Sequence, residues 1–316
     1  MGTLRFAHPT GTQIRRSPDC ASLHPGYNQP MNYRHAFHAG NFADVIKHLV
    51  LVRILTHLQE KPAPFRVIDS HAGAGRYDLT GDEATRTVEW STGIARMMQS
   101  SFHEAAEKLI KPYLDIVRAF NPGDELVAYP GSPLIARALM RPQDRMVCCE
   151  LEPVARKKLI SALRHDEQAR VVDIDGWVGL PAYVPPNERR GLVLIDPPFE
   201  AKDEFARLAS VFAQAYAKWP TGIYLIWYPA KSRRATDDLS RSVAATVASS
   251  ATPGKCLRLE FSVAPQTADG PLTSTGLLIV NPPWKLQDEL RVILPQLERP
   301  LGVGGVARFR LENAKA

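Results

Sequence analysis

Asp196 is followed by two prolines and Phe199, and it comes directly after the apolar run 192–195. A carboxylate at the carboxyl end of a buried strand lies where open α/β sheets bind their ligands. The prolines stiffen the backbone and remove two N–H donors, so the segment offers acceptors only. An aromatic amine is a poor nucleophile, and acceptors for its N–H hydrogens return electron density to the nitrogen as it attacks a sulfonium methyl. Phe199 adds a flat face for stacking an extruded base. A simple Pro-stiffened strand end would explain neither the second proline nor the aromatic ring, so the motif favours methylation of a base amine.

A glycine-rich loop, His71-Ala72-Gly73-Ala74-Gly75, follows an earlier apolar run at 65–69. Glycines let the backbone turn tightly and approach a ligand closely. Dinucleotide and nucleotide sites share such turns, and a plain tight turn has the same composition, so this loop alone is a weak signal. Asp78 stands where a dinucleotide fingerprint has its third glycine, which disfavours a dinucleotide-dependent oxidoreductase.

Two further acids follow predicted strands. Glu150 ends the run Cys148-Cys149-Glu150, and a carboxylate in this position can hold both hydroxyls of a ribose. Asp175-Gly176 comes just past the next strand, where the carboxylate could accept hydrogens from the exocyclic amine of a cofactor adenine. Each pattern has an ordinary alternative, because acids commonly end strands and Asp-Gly is a favoured turn pair.

Three histidines near one another in the sequence raise the question of a metal site. His35, His38 and His48 have no cysteine nearby, and Asp44 is the only carboxylate close to them, so we do not expect a metal. The four cysteines lack CxxC spacing, which predicts buried thiols in a reducing cytoplasm. They are Cys20, Cys148, Cys149 and Cys256.

Strands and helices alternate along most of the chain, which predicts a doubly wound α/β fold with a parallel sheet and helices on both faces. Val45, Leu49 and Val52 recur at helical spacing after Asn41, which can cap their helix. Ser132 is expected to cap another helix. We expect a mostly parallel seven-stranded sheet, an antiparallel edge, and a small helical insertion at about 77–131. The predicted strands are 65–69, 145–150, 170–173, 191–195, 222–227, 256–263 and 276–280, and the predicted helices include 85–99, 102–120, 132–139, 153–163, 203–218 and 237–249.

Composition is that of an ordinary globular protein. The 316 residues are 45% hydrophobic and 23% charged, and no apolar run reaches the ~18 residues of a membrane helix. A soluble protein that makes no membrane contact is therefore predicted. The formal charge of +6 is a modest bias toward polyanions such as nucleic acid. Residues 1–30 are rich in proline and lack apolar periodicity, which predicts a disordered extension before a domain at 31–316.

From Met31 onward the chain resembles the bacterial 23S ribosomal RNA adenine-N6 methyltransferase J family. The resemblance covers nearly all of residues 31–310. Two departures are the thirty-residue extension and Phe199, where tyrosine is common in the family. The shared motifs are Tyr33-Arg34-His35-Ala36-Phe37-His38-Ala39-Gly40-Asn41, Ala43-Asp44-Val45, Lys47-His48, Asp69-Ser70-His71-Ala72-Gly73-Ala74-Gly75-Arg76-Tyr77, Tyr129-Pro130-Gly131-Ser132-Pro133-Leu134-Ile135-Ala136-Arg137, Arg190-Gly191-Leu192, Thr221-Gly222-Ile223-Tyr224 and Asn281-Pro282-Pro283-Trp284.

The resemblance implies a Rossmann-like, S-adenosylmethionine-dependent methyltransferase that acts as a cytoplasmic monomer on one adenine of 23S ribosomal RNA. It implies that Asp196 accepts the amine proton and also borders the cofactor. The other cofactor residues would be His48, His71, Ser132, Glu150, Asp175 and Gly176. The residues beside the target base would be Tyr33, His35, Lys47 and Phe199.

Two alternatives stay open on the sequence. The same chemistry would serve a DNA adenine-N6 methyltransferase. A protein of another class, a non-catalytic RNA-binding assembly factor, could keep the fold, but the intact Asp196-Pro197-Pro198 motif and glycine loop speak against it.

Overall fold

An eight-stranded sheet lies at the centre of the computed structural model, which describes residues 34–123, 125–164, 166–267, 270–305 and 307–316. The extension predicted at 1–30 lies outside the described residues. The strands are β1 (Arg66–Asp69), β2 (Arg76–Asp78), β3 (Ala128–Pro130), β4 (Arg145–Cys149), β5 (Ala169–Val172), β6 (Gly191–Ile195), β7 (Ile223–Pro229), β8 (Cys256–Ser262), β9 (Ser274–Val280) and β10 (Arg308–Asn313). The helices are α1 (Phe42–Gln59), α2 (Asp82–Thr87), α3 (Glu89–Thr92), α4 (Ile94–Gln99), α5 (Glu104–Ala119), α6 (Ser132–Ala138), α7 (Pro153–Ala162), α8 (Gly176–Tyr183), α9 (Glu204–Lys218), α10 (Arg233–Ala248) and α11 (Leu286–Leu301).

The strand order is β10-β8-β9-β7-β6-β1-β4-β5. β5, β4, β1, β6 and β7 run parallel, whereas β9, β8 and β10 continue the sheet in antiparallel pairs. The chain proceeds from β1 to β4 on one side and later returns to β6 on the other. Ligands bind beyond the carboxyl ends of parallel strands at such a reversal.

Successive side chains of the buried strands point to opposite faces of the sheet, so each strand supplies apolar residues to the core on either side. Leu192 and Leu194 join a core with α1, α5 and α11, while Val193 and Ile195 join a second core with α9 and α10. Parallel strands covered on both faces are therefore continuous apolar runs, as β6 is. α1 is buried along nearly its whole length between the sheet and neighbouring helices, and Asn41 caps it by accepting a hydrogen bond from the Asp44 N–H at 3.0 Å.

The predicted fold class is confirmed, and several details differ. The sheet has eight strands instead of seven, because β10 pairs with β8 along the edge. The helix predicted at 85–99 is three short helices, since Val88 adopts a φ of 52° and Gly93 leaves helical geometry. The pair β2–β3, α8 and α11 were not predicted; Pro181 lies inside α8, and Pro295 and Pro300 lie inside α11, which weakens a helical pattern.

The three described cysteines, Cys148, Cys149 and Cys256, are buried free thiols, as expected. Within the described residues, no helix is both long and apolar enough to cross a bilayer. Among these described residues, no group of three or more His, Cys, Asp or Glu side chains is arranged to hold a metal ion.

Candidate functional site

Three acids meet at the carboxyl edge of the parallel strands. Asp69 ends β1, Glu150 follows β4, and Asp196 follows β6; β1 lies between the other two strands. Parallel pairing thereby brings together side chains that are far apart in the sequence. Asp196 is 16% exposed and lies next to Lys47 of α1.

Lys47 bridges two carboxylates. Its Nζ donates to Asp196 Oδ2 at 2.5 Å and lies 2.8 Å from Asp44 Oδ1, and the Lys47 side chain is only 4% exposed. Burial alone would lower the pKa of Lys47, but the charges of Asp196 and Asp44 outweigh burial and raise the pKa above its ordinary value. The ammonium is therefore a permanent charge beside Asp196.

Asp44 organises the residues around Lys47. It is buried and accepts hydrogen bonds from His35 Nε2 at 2.9 Å and from the Gly40 N–H at 2.9 Å. Burial would raise the pKa of Asp44, but the charges of His35 and Lys47 hold it well below the ordinary value. One carboxylate thus fixes both His35 and Lys47, two of the three described residues expected beside the target base. Tyr33, also expected there, lies outside the described residues.

Ser132 does not cap α6. Gly131 occupies the cap position without a side-chain hydrogen bond, and the Ser132 hydroxyl donates to Asp69 Oδ2 at 2.7 Å. The sequence prediction of a capping serine was therefore wrong. Burial raises the pKa of Asp69 to about 7, although the Ser132 hydrogen bond acts in the opposite direction.

His48 is buried behind Lys47 on α1. Its Nδ1 shares a 2.7 Å hydrogen bond with the Tyr129 hydroxyl, which in turn contacts the Tyr113 hydroxyl at 2.9 Å. Burial lowers the pKa of His48 to about 3, so the ring is neutral at physiological pH. Its Nε2 is buried with no hydrogen-bond partner among the described residues.

His71 presents a second buried ring nitrogen. The Ser70 hydroxyl donates to Leu194 O at 3.0 Å, so the 2.8 Å contact between Ser70 Oγ and His71 Nδ1 has the histidine as donor. Burial lowers the pKa of His71 to about 4, which keeps the ring neutral. Its Nε2 is then an acceptor, and within the described chain it has no partner. Trp177 packs edge-on against the ring at 4.9 Å.

The glycine loop adopts backbone that requires glycine. Gly73 and Gly75 have φ values of 66° and 75°, and Gly73 donates its N–H to Glu150 Oε2 at 2.7 Å. The other oxygen of Glu150 accepts from the Glu152 N–H at 2.8 Å. Burial raises the pKa of Glu150. The loop and the acid after β4 therefore form one unit.

Asp175 and Gly176 begin α8. Asp175 Oδ1 accepts from the Trp177 N–H at 2.9 Å, so it is the helix cap, and Oδ2 pairs with Arg207 at 3.2 Å. A side chain at Gly176 would overlap Ser70 O and the His71 ring. Gly176 therefore lies against the glycine loop.

Phe199 lies beside an aromatic group that was not predicted. Its ring is 4.9 Å from Phe205 and 5.6 Å from Trp227, and Lys47 Nζ is 5.9 Å from the Trp227 ring. Phe199 has a φ of 53°, a constrained backbone next to the paired prolines. Phe199 and Trp227 thus supply an aromatic wall near the Lys47–Asp196 pair.

Three residues of this site were missed at the sequence level: Asp44, Asp69 and Trp227. Asp69 could have been found, because it ends a buried parallel strand just before the glycine loop, much as Asp196 directly follows β6. Asp44 lies three residues before Lys47, but this spacing is common on helices and does not itself indicate a site. Trp227 gave no local signal.

Known proteins that are similar to this chain include ribosomal RNA methyltransferases and a related protein of solved structure. The family model described as "Ribosomal RNA large subunit methyltransferase D, RlmJ" matches residues 62–310. A relative from Escherichia coli named "Ribosomal RNA large subunit methyltransferase J" is 42% identical over 275 residues, which cover 87% of this chain and 95% of the relative. A relative of the same name from Haemophilus influenzae is 37% identical over 89% of this chain and 98% of its own length. A crystal structure of a Legionella pneumophila protein has 32% identity and a TM-score of 0.78, covering 88% of this chain and 98% of that one.

Proposed function

The chain belongs to the ribosomal RNA large subunit methyltransferase J family, and from this premise we propose that it methylates the N6 amine of one adenine in 23S ribosomal RNA with S-adenosylmethionine as donor. The observation that carries the proposal is the position of Asp196. It is a carboxylate braced by two prolines at the carboxyl end of β6, and Lys47 contacts one of its oxygens.

The donor side of the site fits an adenosine cofactor. Two buried ring nitrogens, His48 Nε2 and His71 Nε2, have no partner among the described residues, and such atoms are costly unless a ligand satisfies them. Gly176 leaves no room for a side chain beside His71. When bound, S-adenosylmethionine supplies an electrophilic methyl group on a sulfonium. The residues that would hold it are His48, His71, Ser132, Glu150, Asp175, Gly176 and Asp196.

The acceptor side suits an aromatic amine. Lys47 contacts Oδ2 of Asp196, so Oδ1 and the proline-flanked carbonyl groups are the acceptors that remain for the N–H hydrogens. As the amine nitrogen gains a bond to carbon, its N–H groups become more acidic and these hydrogen bonds strengthen. Asp196 would hold the hydrogens while the nitrogen becomes positive and the carbon–sulfur bond of the donor breaks, and its carboxylate would then accept one proton from the amine. Phe199 and Trp227 would exclude water and stack the adenine.

Exposed basic residues border this side of the site. Arg34, Arg233 and Arg234 have side-chain exposures of 71%, 88% and 94%. Lys231 is close enough to His38 to affect its ionisation, so it lies near the segment that carries His35. These cations would contact phosphates and orient RNA without reading its sequence.

The proposal is tested by mapping N6-methyladenine in ribosomal RNA. Mass mapping of 23S RNA from cells with and without the gene is expected to show one adenine that loses its methyl group, restored by the intact gene. Purified protein should transfer a labelled methyl group to an RNA fragment that contains this adenine. Transfer to duplex DNA in place of RNA would identify a DNA methyltransferase, and an absence of cofactor binding by calorimetry would favour a non-catalytic factor.

A further inference from the structure

Residues 34–41 form a short arm that reaches from α1 to the base side of the site. The arm contains a 3-10 turn at His35–Phe37 and joins α1 through Gly40, whose φ is 76°. None of its residues before Ala39 is buried. A half-buried arm of this kind must be held by specific contacts if His35 is to stay in one position.

Glu89 of α3 contacts the arm at two points. His38 Nδ1 donates to both of its carboxylate oxygens at 3.0 Å, and Asn41 Nδ2 donates to Oε2 at 2.9 Å. The hydrogen bond to Glu89 raises the pKa of His38, although burial acts against it. Burial would raise the pKa of Glu89 itself, but its bonds to His38 and Asn41 lower it. The two side chains thus stabilise each other's charged forms.

The backbones of the two segments touch at the same place. Ile94 donates its N–H to Gly40 O at 2.8 Å, and a side chain at Gly93 would overlap Gly40 O and the backbone of Asn41. The segment that includes α3 and α4 therefore lies directly against the joint between the arm and α1. Glycine at position 93 permits this contact.

A chain of hydrogen bonds leads from Glu89 to Asp196. Asn41, fixed by Glu89, accepts from the Asp44 N–H at 3.0 Å. Asp44 holds His35 at 2.9 Å and Lys47 at 2.8 Å. Lys47 contacts Asp196 at 2.5 Å.

From these contacts we infer that Glu89 is a positioning residue for the target base, and that the helical segment between β2 and β3 serves to hold the arm. The inference rests on the proposed function, because it assigns Glu89 to the same site. Among the described residues, Glu89 acts through its hydrogen bonds to His38 and Asn41. The side chain is 35% exposed, so it contributes little packing to the core.

The test compares two neutralised carboxylates that both face the arm. Glu89→Gln removes the charge that holds His38 and Asn41. Glu83→Gln is the matched control. Glu83 pairs with Arg34 of the same arm at 2.9 Å, but the Arg34 side chain is exposed, so this ion pair should contribute little to holding the arm. Hydrogen exchange of the peptide covering residues 34–41 is measured on the full chain without RNA, together with cofactor affinity by calorimetry and steady-state transfer to a ribosomal RNA fragment.

In Glu89→Gln, the arm amides are expected to exchange about tenfold faster. The KM for RNA is expected to rise about tenfold with the cofactor dissociation constant unchanged. Glu83→Gln is expected to match wild type in arm exchange and cofactor affinity, and its KM for RNA is expected not to rise, because the change frees Arg34 for a phosphate. His38→Gln should reproduce part of the effect from the arm's side, and the double variant should be no worse than Glu89→Gln alone, since that change already weakens the His38 contact.

Arm exchange and KM that match wild type in Glu89→Gln would overturn the inference. So would a parallel loss of cofactor affinity and melting temperature, which would make Glu89 a residue of general stability. If wild-type protein transferred nothing to ribosomal RNA, the proposed function would fail, whereas the exchange comparison would still decide whether Glu89 holds the arm.

Discussion

Replacing Lys47 by methionine should show how strongly the site depends on one buried cation. The Lys47 ammonium is 4% exposed and lies 2.5 Å from Asp196 and 2.8 Å from Asp44, which is itself 2% exposed. Methionine keeps the apolar length of the side chain and removes the charge. Removing one partner of a buried ion pair typically costs about 3–5 kcal/mol. His35 remains as a donor to Asp44, so we expect a loss near the lower end, about 3 kcal/mol.

The loss should depend on pH. In the wild type the pKa of Asp44 is held well below its ordinary value, so its stabilising contribution is present above the unfolded pKa and disappears as the pH falls through the folded value. Without the ammonium, burial favours the neutral carboxyl of Asp44, and stability then falls as the pH rises. The difference between Lys47→Met and wild type should therefore be largest near about pH 8 to 9 and shrink towards about pH 5. It should also shrink above a pH of about 10.5, because Lys47 of the unfolded wild-type chain then loses its proton while the raised pKa keeps the folded one charged.

Urea unfolding followed by circular dichroism at several pH values measures both effects. Lys285→Met is the matched control, because Lys285 pairs with Glu60 where the two side chains are 41% and 45% exposed. That change should cost at most about 1 kcal/mol. Adding Asp44→Asn to Lys47→Met should recover part of the stability, since it removes the unpaired buried charge. A loss no larger than that of Lys285→Met, or a loss independent of pH, would refute the reasoning.

Three further predictions concern the cofactor, the extension and the RNA. Because burial holds the pKa values of His48 and His71, both in the proposed cofactor site, at about 3 and about 4, neither ring should titrate between about pH 6 and about pH 8 when followed by NMR; protonation of either ring in that range would contradict this. Deleting residues 1–30 should leave transfer to RNA unchanged, and a large loss of activity would show that the extension contributes. Replacing Arg233 and Arg234 by glutamine should weaken RNA binding and reduce its salt dependence, whereas an unchanged salt slope would place phosphate contacts elsewhere.

The sequence predicts the strands that carry the site and their order along the chain. β6 is a continuous apolar run with an acid and two prolines after it, and a buried parallel strand produces this pattern by its local composition. The same applies to β1 before the glycine loop and to β4 before Glu150. Strand pairing then places their ends together, so much of the donor side follows from local pattern and the general rule for open sheets.

The features that the sequence did not predict are contacts between residues that lie far apart along the chain. The bond from Lys47 to Asp196 spans 149 positions, and nothing in the sequence around either residue indicates the other. Ser132 has the local pattern of a helix cap, yet its hydroxyl bonds Asp69 because β1 ends beside it in the fold. β10 was not predicted because the alternation of polar and apolar residues along it is weak; pairing with β8 stabilises it as a strand. In each of these cases, tertiary contacts outweigh the local structural propensity of the residues.

Single-turnover methyl transfer by Asp196→Ala tests the central claim most directly. Lys47 keeps Asp44 as its partner in this variant, so the fold should be retained at a lower melting temperature, and transfer is compared at saturating cofactor because Asp196 also borders the proposed cofactor site. The rate of transfer to the ribosomal RNA fragment should fall by at least about a hundredfold, because the acceptor for the amine hydrogens is gone. Asp203→Ala, an exposed acid shortly after the same motif, should transfer at the wild-type rate. Asp196→Ala protein that transferred methyl groups as fast as wild type would contradict the role assigned to this carboxylate.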